Sequence, residues 1–112
     1  MTVEEYLSKG KEIQRQAEQL RVLVEYLHKK QNKAYAPFLQ RYQKTAQLQH
    51  VWEKRANTII DALEDSNERL ALSLCYIQCM PKEDIGQVMG YCRRQVHRII
   101  KRGLANAEEK LS

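Results

Sequence analysis

Glycine and proline are scarce, four and two in 112 residues, and that excludes an all-β chain built on many tight turns. No apolar run approaches the roughly 18 residues of a membrane span. The opening MTVEEYLSKGKE has early acids and no apolar stretch of the kind a secretory signal carries. Three cysteines without such a signal, Cys75, Cys79 and Cys92, do not make a disulfide framework. No HExxH, phosphate-binding glycine loop or nucleophile–base set is present. The expectation is therefore a cytoplasmic protein that is not an enzyme, with no catalytic residue, cofactor, metal or membrane partner. Helix formers such as Leu, Gln, Glu, Lys, Arg and Ala dominate instead. With 43% hydrophobic residues, 6 Tyr, 1 Trp and 1 Phe, an all-α fold with a modest core is expected.

Apolar positions run Tyr6, Gly10, Ile13, Ala17, Leu20, Val24, Leu27, alternating steps of four and three. That is a heptad seam. It predicts a helix over about 3–33, opened by a Thr2/Glu5 capping box. Pro37 reads as an interruption that biases Ala36 away from helical angles. Leu48, Trp52, Ala56, Ile59 and Leu63 then fall at helical spacing and predict a second helix over about 38–64. Folded back on the first, it makes a helical hairpin or coiled coil; the alternative is one long bent helix. Residues 1–62 read as an oligomerisation region, in which an apolar edge including Trp52 and Ile59 pairs two protomers as a homodimer.

Asp65 and Glu68 have capping-box spacing for a third helix, with Leu70, Leu74 and Ile77 as its core stripe and Ala71 and Met80 beside them. Pro81 ends it and suits the first turn of the next helix. There Ile85, Val88 and Met89 mark the inner face. Gly90 stands where the chain turns sharply, Tyr91 is an apolar plug, and Val96, Ile99, Ile100 and Gly103 form the inner face of the following helix. Gly86, Gly90, Val96 and Ile99 have helix-turn-helix spacing: a small residue at the crossing, a glycine in the turn and two branched clamps. Residues 63–112 are thus expected to form a DNA-binding domain.

Charge points the same way. Residues 61–84 carry Asp61, Glu64, Asp65, Glu68, Glu83 and Asp84 against Arg69 and Lys82, whereas residues 91–103 carry Arg93, Arg94, Arg98, Lys101 and Arg102 and no acid. Such a switch of sign implies an anionic partner. The helix over about 92–104 presents Arg93, Arg94, Gln95, His97, Arg98, Lys101 and Arg102 outward. Arg94, Arg98 and Lys101, stepping by four and three, project together. Arg, Gln and His near a helix N-terminus suit base edges in the major groove; Lys101 and Arg102 are better placed for phosphates. A basic, solvated helix in an ordinary bundle is the plain alternative.

The run ERLALSLCYIQCMPKEDIGQVMGYCRRQVHRIIKRGLANAEEKL resembles region 4 of bacterial sigma factors over about residues 62–107. It is most similar to the small phage-encoded late-transcription regulators of the ArpU/RinA type, in which a long helical part precedes the same helix-turn-helix. Gly86 and Gly103 stand where that pattern favours alanine, and Pro81 and Cys92 where it favours a Ser or Thr cap. The resemblance implies a phage or prophage transcription regulator that binds double-stranded promoter or operator DNA, with RNA polymerase as a further partner. The alternative function is a helical assembly or DNA-packaging subunit using the same module.

The cysteines and His28, His50 and His97 offer no zinc knuckle. Cys75 and Cys79 are separated by three residues on an expected helix, and Cys92 and His97 by four across a helix start. Packed free thiols are the expectation.

Overall fold

A computed structural model describes residues 1–111, and every regular element among them is helical. Helix α1 spans Val3–Lys29 and α2 Tyr35–Asp61. Helix α3 spans Ser66–Leu72 and runs on through a π-type turn at Ser73–Ile77. Helices α4, Lys82–Met89, and α5, Arg93–Leu111, come next.

Thr2 caps α1, its hydroxyl accepting from the Glu5 N–H at 3.1 Å. Another N–H of that first turn with no intrahelical partner, on Val3, donates to Glu108 Oε2 at 2.6 Å, so α5 caps α1 across the molecule. The helix ends at Lys29, short of residue 33, in a Schellman motif. The Asn32 N–H donates to Leu27 O (3.0 Å) and the Gln31 N–H to His28 O (3.1 Å), with Gln31 left-handed at φ 50°. No glycine advertises that stop.

The seam residues Gly10, Ala17, Val24 and Leu27 are buried, and Tyr6, Ile13 and Leu20 partly so. They face α2 in an antiparallel hairpin. Pro37 does not interrupt α2: it lies within the first turn, where its missing N–H has no intrahelical carbonyl to lose. The helix therefore starts at Tyr35 rather than 38, with Ala36 helical, and it ends at Asp61 rather than 64.

Trp52 is the keystone of the hairpin. Its indole Nε1–H donates to the Tyr6 carbonyl at 3.0 Å, and its six-membered ring fills the space a side chain at Gly10 would need. Trp52 and Ile59 are buried in the chain's own core with Val3, Leu7, Ala56 and Leu63. This corrects their placement on a free dimer edge. Leu48 is 61% exposed, contrary to its assignment to the stripe. Two successive steps of four carry Leu48 about 80° around the helix from Ala56, off the seam.

Helix α3 is also turned from its expected face. Ala71, Leu72, Cys75 and Tyr76 are buried, while Leu70 is exposed and Leu74 and Ile77 only partly buried. The π turn, closed by Gln78 N–H to Ser73 O at 3.0 Å, inserts an extra residue and rotates the stretch after it. Of the thiols, only Cys75 is packed; Cys79 and Cys92 are exposed.

Pro81 sits at the N-cap of α4, one residue outside the helix. Ile85 and Gly86 are buried and Met89 partly so, but Val88 is 60% exposed. Gly86 takes the inner arc because the turn into α5 doubles back over it: a Cβ there would clash with the Tyr91 carbonyl oxygen and lie 3.7 Å from Val96 Cγ2 of α5. That close approach makes the turn. The N–H groups of Gly90 (2.8 Å) and Tyr91 (2.9 Å) both donate to Gly86 O, with Gly90 left-handed at φ 77°. Val96, Ile99, Ile100, Gly103 and Ala107 of α5 face inward.

One apolar core joins Val3 and Leu7 of α1, the C-terminal half of α2, and the three later helices. The far half of the hairpin projects from it, giving extents of 50 × 32 × 18 Å.

Candidate nucleic-acid interface

Helix α5 owes its orientation to its five buried residues. With Val96, Ile99, Ile100, Gly103 and Ala107 inward, roughly 100° of rotation per residue puts Arg94, Arg98 and Lys101 on the opposite side. All three are exposed, as are Arg93, Gln95, His97 and Arg102. The seven then divide.

Arg94, Arg98 and Lys101 form one outward strip with Gln95 on its flank, and no ion pair among the described residues engages the three cations. Arg93 Nη1 reaches back to Glu83 Oε1 of α4 at 3.5 Å, with both side chains well exposed. A pair of that kind contributes little to stability and leaves Arg93 able to exchange partners. His97 Nδ1 lies 2.8 Å from Lys82 Nζ.

Arg102 turns the other way. Its Nε donates to Glu68 Oε2 at 2.8 Å, and its Nη2 lies 3.8 Å from Asp65 Oδ2. Glu68 is 3% exposed, and its second oxygen accepts from Asn106 Nδ2 at 2.8 Å. Gly103 permits this by letting α3 approach: a Cβ there would meet Glu68 and Leu72 at 3.2 Å. The Asp65 carboxylate caps α3, accepting from the Asn67 and Glu68 N–H groups. The Glu68 side chain serves α5 rather than reciprocating the cap. Arg69 of the same helix donates to the carbonyls of Leu63 (2.6 Å) and Glu64 (3.0 Å) beyond the end of α2.

Arg102→Ala is expected to lower stability by about 1–3 kcal/mol. It strips a buried carboxylate of its charged partner, at a site where the partner's own exposure lets water soften the loss. Urea unfolding measures it. Unchanged stability together with a loss of duplex affinity would instead make Arg102 a phosphate contact.

Sequence reasoning missed Lys82 and Lys11, which flank this helix from α4 and α1. Lys82 lay in the acidic stretch, and Lys11 on the polar side of a seam whose docking partner was unknown. Among the described residues no group of three His, Cys, Asp or Glu is arranged to hold a metal ion. No helix among the described residues is long and apolar enough to cross a membrane. No family model, curated protein or solved structure matches the chain.

Proposed function

We propose that this protein is a DNA-binding transcription regulator that places α5 in the major groove of a duplex. The observation that carries the reading is the outward strip of Arg94, Arg98 and Lys101, free of ion pairs with the described residues, on a helix set by a glycine turn. Arg94, Gln95 and Arg98, in the first turns of α5, are the base-reading set, and Lys101 a phosphate contact. Arg93 and His97 flank the groove walls. RNA polymerase as a partner, and a phage or prophage setting, rest on the resemblance to sigma region 4 alone.

In this reading two copies pair through the hairpin and set two α5 helices on one two-part site. Leu48 and Val51 of α2 and Val22 and Tyr26 of α1, all exposed, replace Trp52 and Ile59 as the surfaces available for pairing. The projecting hairpin also favours a second reading, a helical assembly or DNA-packaging subunit using the same module. Mapping of bound sites separates them: promoter or operator sites support the regulator, a single packaging site the subunit.

The direct test is duplex binding as a function of salt. Log affinity is expected to fall linearly with log salt, by about 0.9 for each phosphate neutralised. Absent or salt-indifferent binding overturns the proposal. Light scattering on the same samples is expected to exceed the 13.2 kDa of one chain; a monomer at micromolar concentration removes the pairing.

A further inference from the structure

Beside the outward strip of α5, a cleft of about 190 Å³ opens where α1 crosses the C-terminal helices. Lys11 of α1, Lys82 of α4, and His97 and Lys101 of α5 all line it, with Ser8 and Glu4 on the α1 side. Three lysines from three helices thus line one small space, and none is ion-paired with a carboxylate among the described residues.

Lys82 and Lys11 are set in place by neighbours that do not neutralise them. Lys82 Nζ lies 2.8 Å from His97 Nδ1; with the ammonium donating, the imidazole is neutral and carries its proton on Nε2. Lys11 Nζ sits 4.8 Å above the centre of the Tyr76 ring and 3.5 Å from Cys75 Sγ. Burial pushes the Tyr76 phenol up to about 12, Cys75 and Glu4 adding to the rise and a Ser8 hydrogen bond opposing it. The phenol therefore stays uncharged, and the lysines outnumber the Glu4 carboxylate on the cleft wall by three to one. Gathering like charges is unfavourable, and an entering anion with several acceptor oxygens reverses the sign of that interaction. Ammonium groups supply donors and no acceptor, which matches a tetrahedral oxyanion. At roughly 30 Å³ per water, the cleft has room for one such group with part of its hydration.

We propose that the cleft is a phosphate-group site, in which Lys11, Lys82 and Lys101 hold the oxyanion and His97 braces Lys82. The phosphate comes either from a free phosphate ion or from the backbone of a duplex. The second source rests on the DNA-binding reading: Lys101 belongs both to the outward strip and to the cleft, so a strand alongside α5 would pass the cleft mouth and touch α1.

The experiment uses the full chain, as wild type and as Lys11→Gln and Lys82→Gln, with folding checked by circular dichroism melts. In one arm inorganic phosphate is titrated at constant ionic strength against chloride, read by NMR shifts. Saturable shifts at Lys11, Lys82, His97 and Lys101 are expected, weakened about tenfold by either substitution as one charge-assisted contact is lost. In the other arm the salt slope for duplex binding is measured, and Lys11→Gln is expected to reduce it by about 0.9. A phosphate response with an unchanged slope assigns the free ion, and a reduced slope assigns the backbone. No wild-type phosphate response, with slopes unchanged in both variants, overturns the site even if duplex binding persists. A phosphate response in a protein that binds no duplex keeps the site and removes the DNA-binding reading.

Discussion

Gly10→Ala is expected to destabilise the protein by about 3 kcal/mol, the upper end of what overpacking a core produces, and to lower Tm by roughly 10–15 °C. A Cβ at position 10 would lie 1.9 Å from Trp52 Cε2 and Cζ2. The indole cannot slide away without breaking its 3.0 Å hydrogen bond to the Tyr6 carbonyl, and it is buried on all sides. Against this stands the better helix propensity of alanine, worth about 1 kcal/mol, which the clash outweighs. With total stabilities of about 5–15 kcal/mol, the loss is a large fraction of what holds the fold. Urea unfolding supplies the measurement. The double variant Gly10→Ala/Trp52→Leu should cost less than the sum of its parts, because removing the ring removes the obstacle. A Gly10→Ala protein as stable as the wild type would show that the helices are not in this close contact.

The double substitution Arg94→Ala/Arg98→Ala is expected to weaken specific duplex binding by about 10²–10⁴-fold while leaving the melting curve almost unchanged. Each bidentate contact to a base edge contributes about 1–3 kcal/mol of discrimination, and both arginines are on the outward strip without intramolecular ion pairs among the described residues. Arg94→Ala alone should relax preference at one or two base pairs. Lys101→Ala should weaken all duplexes by a similar factor, as a backbone contact does. Affinity and base preference measured on a randomised-site library decide between these roles. Uniform loss across sequences in all three variants would remove Arg94 and Arg98 from base readout.

Helical periodicity is a local property, and the features that depend on it were legible in the sequence. Residues three and four apart share a helix face whatever the helix later meets, so the α1 seam, the inward set of Val96, Ile99, Ile100 and Gly103, and the outward strip of α5 were all readable. Gly90 was readable too, because a left-handed turn residue is recognised by its own backbone freedom. The stop at Gln31 was not: the same left-handed geometry is held there by a residue that does not favour it, through hydrogen bonds to Leu27 and His28. The π turn at Ser73–Ile77 broke the period itself, so that a stripe drawn at constant pitch through Leu74 and Ile77 missed the buried Cys75 and Tyr76. Tertiary structure alone decided which helix each face would meet. It pressed Trp52 onto Gly10 and so closed the edge expected to pair two chains. It also drew Arg102 out of the basic row to Glu68 and brought Lys11 from α1 to Lys82 and Lys101. Those partners lie tens of residues apart, and only the docking of the helices on a shared core sets the distances between them.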